Sequence, residues 1–331
     1  MKRIDAYWYS QNPVAWLLLP VAAFYCLIVF IRRVFYRTGI FKSFKLSVPV
    51  IIVGNITVGG TGKTPLLVAL CELLKSQGYK PGVISRGYGG DFEGEHLVDD
   101  SDSADVIGDE PCLIHARTRC PLVVGRDRVA AAELLLSESD CDIILSDDGL
   151  QHYRLQRDVE IAIVDTNRQF GNGFCLPSGP LREPASRLNQ VDIVVDHGSA
   201  RDADAKEEYF FLKFSDAVNL QTNETMSIES FKGVPVHAVA GIGHPKRFFD
   251  QLRRVGLEVI EHDYPDHHKY ISSDLVFNDN YNVLLTEKDA VKCQDFSVES
   301  LWYVPVSAEL SKSFRQNLLS KLKQFSGSKY E

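Results

Sequence analysis

The pattern of apolar and polar positions is clearest in one segment, residues 48–74. Residues 48–53 form an apolar, β-branched run of strand length. Residues 54–62 follow and contain four glycines. Apolar residues then recur at helical spacing, at Leu66, Leu67, Leu70, Leu73 and Leu74. The pattern therefore predicts a strand, a glycine-rich loop and a helix.

Strand and helix patterns continue to alternate in the first two thirds of the chain. Helices are predicted near Arg117 and over residues 126–136. Further strands are predicted at 80–85, 121–124, 141–146, 159–165 and 191–196. This alternation favours an α/β fold with a doubly wound, mostly parallel sheet of the P-loop NTPase type, which binds ligands at the carboxyl ends of its strands.

A second alternating region follows a polar segment that carries an aromatic run at 209–214, interpreted as linker strands. Its strands are predicted at 234–240, 257–261, 281–285 and 302–306, and its helices at 246–255 and 309–325. We predict four parts: a membrane-anchor helix (1–37), a core domain (38–205), a linker (206–230) and a smaller α/β domain (231–331).

The N-terminus carries an uncharged run at residues 14–31. A helix of that length covers about 27 Å, against about 30 Å for the hydrocarbon core of a bilayer. We interpret it as a membrane anchor, kinked at Pro20, that either spans the bilayer or lies in its interface. A buried core helix is the alternative. The basic residues behind it favour a cytoplasmic C-terminal flank: Arg32, Arg33, Arg37, Lys42 and Lys45.

The glycine-rich loop ends in Gly62-Lys63-Thr64, which in this setting is typical of a P-loop. Its backbone N–H groups would cradle phosphates, Lys63 would reach the β- and γ-phosphates, and Thr64 would bind Mg²⁺. The G-x-x-x-x-G-K-[ST] pattern is imperfect, because Thr57 stands where the first glycine belongs. A turn that binds nothing is the alternative. The predicted nucleotide-binding residues are Thr57, Val58, Gly59, Gly60, Thr61, Gly62, Lys63 and Thr64.

Carboxylates at strand ends supply the remaining candidate chemistry. Asp147 and Asp148 follow an apolar strand, where a P-loop enzyme keeps the acid that binds Mg²⁺; an Asx turn is the alternative. Candidate bases for an acceptor hydroxyl are Asp109 in GDEP and the Asp266/His267 pair in PDHHKY. In TEKD, residues 286–289, the lysine and aspartate are adjacent, so the N-K-x-D guanine motif is absent; the segment could still lie near the nucleotide base.

Composition narrows the possible partners. The 331 residues carry a net charge of −8, which argues against a general nucleic-acid binder. The seven cysteines are odd in number and form no C-x-x-C pair, which favours reduced thiols over a disulfide framework or a zinc site. Seven arginines on loops are candidates for anionic groups of a substrate, although each alone also fits a solvated surface: Arg86, Arg117, Arg119, Arg126, Arg128, Arg182 and Arg187.

Taken together, these motifs resemble the tetraacyldisaccharide 4′-kinase family. The resemblance covers nearly the whole chain and includes the apolar N-terminal helix. The matching motifs occur in one order: VGNITVGGTGKTP, SRGYGG, GDEP, DDGLQH, PSGPLREP, AGIGHPKRFF, PDHHKY and LTEKDAVK. The variant loop with Thr57 belongs to the family pattern.

The resemblance implies transfer of the ATP γ-phosphate, with Mg²⁺, to the 4′-hydroxyl of tetraacyldisaccharide 1-phosphate, which gives lipid IVA. It implies the cytoplasmic face of a Gram-negative inner membrane, with no obligatory protein partner. Asp109 would be the base, oriented by His267, and Lys63 and Asp148 complete the expected catalytic set. Four residues in the matching motifs are expected to contact the substrate: Arg86, Gln151, His152 and Arg182.

Two alternatives remain open at this point. A P-loop kinase could act on another membrane glycolipid or a polyprenyl substrate. A membrane-tethered P-loop switch would instead hydrolyse nucleotide to regulate a partner, and would show partner-stimulated hydrolysis without a lipid acceptor. The candidate base residues and the missing N-K-x-D motif favour a kinase.

Overall fold

The computed structural model describes residues 7–10, 12–198 and 208–326, which form two sheets flanked by helices. The helices are α1 Pro13–Leu17, α2 Leu19–Arg37, α3 Lys63–Ser76, α4 Ala104–Ile107, α5 Asp109–Thr118, α6 Arg128–Glu138, α7 Pro245–Val255, α8 Glu287–Ala290 and α9 Lys312–Ser326. Strands β1 to β8 are Val50–Gly54, Pro81–Ser85, Glu95–Leu97, Leu122–Gly125, Ile143–Asp147, Val159–Asp165, Ile193–His197 and Tyr209–Phe214. Strands β9 to β15 are Ala217–Asn219, Thr225–Met226, Val236–Ala240, Val259–Asp263, Val283–Thr286, Leu301–Val304 and Val306–Leu310.

The larger sheet has nine strands in the order β15-β8-β7-β6-β1-β5-β2-β4-β3. Only its edge strands β3 and β15 run antiparallel to their neighbours. Strand β1 lies between β5 and β6, and Val53 is paired with Asp147. Helices α3, α5 and α9 cover one face and α6 the other, each through buried apolar side chains. The predicted doubly wound, mostly parallel fold is confirmed.

The smaller sheet has six strands in the order β10-β9-β14-β13-β11-β12. Its four strands β11 to β14 are parallel, and β9 pairs with β14 in antiparallel orientation. Helix α7 is strongly amphipathic and buries Phe248, Phe249 and Leu252 against this sheet. This sheet and α7 form the smaller unit of the molecule, which carries the loops that follow β11, β12 and β13.

The end of the chain differs from the predicted arrangement. The strand predicted at 302–306 is two strands, β14 in the smaller sheet and β15 in the larger one, separated at Pro305. Strand β15 pairs with β8, so the aromatic run 209–214 is part of the larger sheet. Helix α9 then buries its apolar side chains beside α3: Phe314, Leu318 and Leu322. The chain returns to the larger sheet because this apolar face needs cover.

The N-terminal apolar run forms two helices that meet at Leu18. Pro20 lies in the first turn of α2, where its missing N–H costs nothing, so the predicted kink takes the form of a break between α1 and α2. Helix α2 is long and apolar enough to cross a membrane, and 6% of its most apolar window is buried. A buried core helix is therefore excluded. The exposed apolar side chains of α1 and α2 include Trp16, Leu17, Val21, Phe24, Leu27 and Phe30.

Candidate functional site

The loop between β1 and α3 has the backbone that its glycines permit. Gly59 and Gly62 have φ values of +105° and +84°, in the left-handed region that favours glycine. At Gly62, a Cβ atom would lie 2.8 Å from the Nδ1 atom of His197. The loop therefore depends on glycine at this position both for its conformation and for close packing.

Lys63 is the first residue of α3 and lies among polar groups at the carboxyl end of the sheet. Its Nζ atom is 3.5 Å from Asp148 Oδ1 and 3.3 Å from Asn55 Oδ1, and its side chain is 12% exposed. Arg182 contacts the same carboxylate, with Nη1 2.8 Å from Asp148 Oδ2. Burial raises the pKa of Asp148, but Lys63 and Arg182 outweigh it and the net pKa is lowered. Asp148 is therefore an ionised carboxylate between two cations.

Asp147 has a different environment from its neighbour. Ser85 Oγ donates a hydrogen bond to Asp147 Oδ2 at 3.2 Å, while Oδ1 is buried without a hydrogen bond. Burial, with the charges of Glu110 and Asp148, raises the pKa of Asp147 to about 7. This carboxylate therefore has an unused acceptor and is destabilised as an anion, which a bound cation would relieve.

Asp109 and His267 meet across the two sheets. Asp109 is the first residue of α5 and is 4% exposed, whereas His267 lies in the loop after β12 with φ +59°. The Nδ1 atom of His267 is 2.9 Å from Asp109 Oδ2 and 3.1 Å from Oδ1. Burial raises the pKa of Asp109, but His267 and Lys288 outweigh it and lower it overall. The hydrogen bond to Asp109 raises the pKa of His267.

The TEKD segment lies beside this pair; a position near the nucleotide base stays a prediction. Lys288 Nζ is 2.9 Å from Glu110 Oε1 and 3.8 Å from Asp109 Oδ2. Asp289 is fully buried and accepts hydrogen bonds from the backbone N–H of Gly241 and the hydroxyl of Thr286. The segment therefore fixes the loops around Asp109 and His267.

A further contact joins the P-loop to strand β7 of the larger sheet. Nδ1 of the buried His197, at the end of β7, lies 2.8 Å from the carbonyl oxygen of Thr61. Arg247 of α7 contacts Asp165 Oδ2 at 2.6 Å and lies beside the same imidazole. Burial, with the charge of Arg247, lowers the pKa of His197 to about 4, so the ring is neutral near pH 7. A neutral ring whose Nδ1–H donates to Thr61 holds the loop by its backbone.

Comparison with known proteins decides the family. The family described as "Tetraacyldisaccharide-1-P 4'-kinase" matches residues 14–323. The chain belongs to the tetraacyldisaccharide 4′-kinase family. A relative of that name from Nitrosococcus oceani is 48% identical over 96% of this chain and 94% of its own length. One from Shewanella sp. strain ANA-3 is 46% identical over 98% of this chain and 97% of its own.

A solved structure of the same family agrees with the fold. LpxK from Aquifex aeolicus in complex with ATP superposes with a TM-score of 0.79 at 28% identity, over 93% of this chain and 99% of that chain. The order of strands and helices described above is therefore that of a tetraacyldisaccharide 4′-kinase. The resemblance inferred from the motifs is confirmed.

The expected substrate residues of this kinase family member occupy different positions. Arg182 contacts Asp148, and Gln151 donates to the carbonyl of Asn55 at 3.2 Å and to Glu183 at 2.8 Å. Arg86 is exposed and forms no ion pair among the residues that the structure describes. His152 lies beside Arg128, and burial, then that charge, lowers its pKa. Arg182 and Gln151 thus line the P-loop, whereas Arg86 is on the surface and His152 is turned to another loop.

Several residues of the site were missed by sequence reasoning. Asn55 and Glu183 are buried polar residues that hold Lys63 and Gln151, and Glu110, His197 and Arg247 were not singled out. Four of these five residues stand in the matching motifs: Asn55 in VGNITVGGTGKTP, Glu110 in GDEP, Glu183 in PSGPLREP and Arg247 in AGIGHPKRFF. Nothing in the local pattern identifies His197, because its role depends on packing between distant segments.

Proposed function

We propose that this protein transfers the γ-phosphate of ATP to the 4′-hydroxyl of tetraacyldisaccharide 1-phosphate and so forms lipid IVA. Family membership and the ATP complex of the Aquifex aeolicus relative support the donor and the acceptor. The observation that carries the proposal is the 2.9 Å contact between Asp109 and His267. A kinase needs a proton acceptor for the attacking hydroxyl, whereas a nucleotide switch does not.

The nucleotide is held by the backbone of residues 57–62 and by charge. The N-terminus of α3 supplies backbone donors and a partial positive charge for phosphate oxygens. Lys63 and Arg182 lie at the carboxyl end of the sheet, and both contact Asp148. When ATP binds, its phosphates would share Lys63 with this carboxylate. Positioning and charge neutralisation are the main contributions of a protein to phosphoryl transfer.

The residues present fit a magnesium ion. No group of three or more His, Cys, Asp or Glu side chains within the described ranges could hold a metal alone. Mg²⁺ is instead commonly bound through one or two carboxylates together with substrate phosphates. Thr64, Asp147 and Asp148 would hold it, since Asp147 Oδ1 is buried without a hydrogen bond. The bound ion would neutralise charge on the β- and γ-phosphate oxygens.

Asp109 would accept the proton of the 4′-hydroxyl as the oxygen attacks the γ-phosphorus. Its lowered pKa keeps the carboxyl group ionised at neutral pH, which is the form that can take the proton. His267 fixes the orientation of this carboxylate through Nδ1. The pair lies between the two sheets, where contact of both units with the substrate would exclude water.

The acceptor would be reached from the cytoplasmic surface of the inner membrane. Helix α2 contacts the catalytic domain along its length: Tyr25 donates to the carbonyl of Arg182 at 3.0 Å, and Arg32 to that of Gln151 at 3.3 Å. A helix packed on the domain in this way cannot cross the bilayer without taking the domain with it. We infer that α2 lies in the interface, with its exposed apolar side chains toward the acyl chains.

The decisive experiment is transfer of label from γ-labelled ATP. The purified chain with Mg²⁺ is offered tetraacyldisaccharide 1-phosphate in detergent micelles, beside Lys63→Ala. We expect label in a bisphosphorylated lipid with the parent chain, and none with the variant.

Two other outcomes would contradict the proposal. Free labelled phosphate without labelled lipid would indicate a nucleotide switch. Label in a polyprenyl or other glycolipid acceptor, but not in the disaccharide, would keep the kinase and change its substrate.

A further inference from the structure

Lys288 is the point where three carboxylates from two units of the molecule meet. Its Nζ atom is 2.9 Å from Glu110 Oε1, 3.6 Å from Asp266 Oδ1 and 3.8 Å from Asp109 Oδ2. Asp109 and Glu110 begin α5 beside the larger sheet, while Asp266 precedes His267 in the loop after β12. The lysine side chain is 17% exposed. One ammonium group thus joins both halves of the acceptor site.

The position requires a compact cation. Three carboxylate groups so close to one another repel, and the charge of Glu110 also contributes to the raised pKa of Asp147. An ammonium group has three donors on one atom and can serve all three acids, whereas a planar guanidinium would favour one. Without it, the site would present unbalanced negative charge to the incoming phosphates. The arrangement is therefore suited to an enzyme that binds ATP beside a cluster of acids.

A neighbouring lysine has a separate task. Lys292 Nζ lies 2.6 Å from Asp289 Oδ1 and 5.0 Å from the ring centre of Tyr270. Its distance to Asp109 Oδ2 is 4.0 Å, the longest of the cation contacts at that carboxylate. Lys292 thus secures Asp289, which fixes the loop at Gly241, and Lys288 is left as the cation directed at the acids.

We propose that Lys288 is a positioning residue for phosphoryl transfer, which holds the carboxylate of Asp109 and the loop of His267 in one arrangement and keeps Asp109 ionised. The inference rests on the proposed function, in which Asp109 accepts the hydroxyl proton. Within the described ranges, the charged groups around Asp109 are His267, Asp266, Lys288 and Lys292 from the smaller unit, and Glu110 on its own helix. The thiol of Cys112, one turn along α5, is neutral, because burial, then Asp109, raises its pKa to about 11.

The chain offers a matched control in Lys269. Its Nζ atom is 2.7 Å from Asp105 Oδ1, so it also joins the loop after β12 to the larger unit. Both side chains are solvent-exposed, at 77% and 74%. Exposed pairs of this kind contribute little. Lys269→Met thus removes a second ion pair between the two units without touching the acid cluster.

The test compares Lys288→Met, Lys288→Arg and Lys269→Met across pH by label transfer to the lipid acceptor. For Lys288→Met we expect kcat to fall roughly ten- to a hundredfold, with the KM for ATP nearly unchanged. The acidic limb of the kcat profile should move to higher pH, because Asp109 loses a cation that favours its ionised form. Lys288→Arg should keep the acidic limb at the pH of the parent chain, with a kcat between those of the parent and Lys288→Met. Lys269→Met should match the parent in both kcat and the acidic limb.

Parent-like kcat and acidic limb in Lys288→Met would overturn the inference. If Lys288→Met does not fold, the double variant Lys288→Met with Glu110→Gln is used instead of it in the same comparison, because it also removes one of the repelling carboxylates. Asp109→Asn separates the two levels of inference. Loss of transfer in Asp109→Asn with an unaffected Lys288→Met rejects the role of Lys288 alone, whereas full transfer in Asp109→Asn rejects the proposed base.

Discussion

Asp109 and Asp148 are both buried acids, and their partners suit them to different tasks. Asp148 lies between Lys63 and Arg182 at the end of β5, where phosphates would compete for the same cations. Asp109 is instead paired with the imidazole of His267 and belongs to the cluster of acids around Lys288. Both pKa values are lowered although burial alone would raise them, since nearby cations outweigh desolvation. In the proposed mechanism, the phosphates therefore do not compete for the imidazole that is paired with Asp109.

At the scale of residues, the substitution Asp109→Asn tests whether Asp109 accepts the proton of the acceptor hydroxyl. We expect kcat to fall by about 10² to 10⁴, because the amide cannot accept the hydroxyl proton, while ATP binding is retained. The same change should lower the pKa of His267, since the hydrogen bond to the carboxylate is the main cause of its raised value. Label transfer measures the first effect, and the pH titration of the His267 ring by NMR measures the second.

Asp105→Asn is the control for this variant, because Asp105 is exposed on α4 and outside the acid cluster. Near-parental turnover in Asp109→Asn would exclude Asp109 as the base. An unchanged titration midpoint of His267 would show that the contact with Asp109 does not set its protonation.

At the scale of elements, the P-loop is held by a strand that does not carry it. Strand β7 ends in His197, whose ring stacks on Phe210 of β8 with a centroid distance of 4.6 Å. Nδ1 can donate to the carbonyl of Thr61 only if it bears the proton, and it then cannot accept from Arg247, whose Nη1 lies 3.3 Å away. Arg247 is instead held by Asp165 at the end of β6.

His197→Ala should therefore weaken nucleotide binding. Loss of a buried hydrogen bond costs about 1–3 kcal/mol, so we expect the KM for ATP to rise roughly five- to a hundredfold, with a smaller effect on kcat. Because burial keeps the pKa of His197 near 4, the ratio of parent to variant should be constant over the neutral pH range. Steady-state kinetics at several pH values measure both.

His96→Ala is a suitable control, since His96 lies in the edge strand β3, where it pairs with Asp102. An unchanged KM for ATP in His197→Ala would mean that the loop keeps its conformation without this contact. A ratio that changes steeply near neutral pH would contradict a neutral imidazole.

At the scale of the whole molecule, the N-terminal helices form one wall of the kinase. Ser178 donates to the carbonyl of Ala15, Trp8 donates to that of Pro177 at 3.1 Å, and Tyr25 contacts Arg182. The loop that carries Arg182 is thus held by the apolar N-terminal segment. If α2 lies in the membrane interface, as proposed, its seating on the bilayer and the placement of Arg182 beside Asp148 would be physically connected.

An interfacial helix predicts the accessibility of its two ends. Ser10 lies before α1 and Lys42 lies after α2, and both side chains are exposed. Two variants, Ser10→Cys and Lys42→Cys, place a thiol at these positions. If α2 lies in the cytoplasmic interface, a membrane-impermeant thiol reagent should label neither cysteine in intact cells, and both after lysis. The parent chain gives the background from its seven cysteines. Labelling of Ser10→Cys alone in intact cells would mean that α2 crosses the membrane.

Local pattern was sufficient for most of the elements and for the family. Glycines, a lysine and a threonine at fixed spacing place the P-loop between β1 and α3, and an apolar run followed by two acids places Asp147 and Asp148 at the end of β5. Parallel strands bring their carboxyl ends to one edge, so the sequence also predicted that these groups lie together. The roles of the individual site residues stay predictions.

The sequence by itself determined the alternation of strands and helices, the P-loop and the apolar N-terminal helix, because each depends on residues within a few turns of one another. Only the tertiary structure decided that α9 covers the larger sheet, that Lys288 faces Asp109, and that His197 holds Thr61. Asp109 and His267 are 158 positions apart, and the contact between them is set by how two sheets pack. Packing of distant segments leaves no periodic signal in the chain.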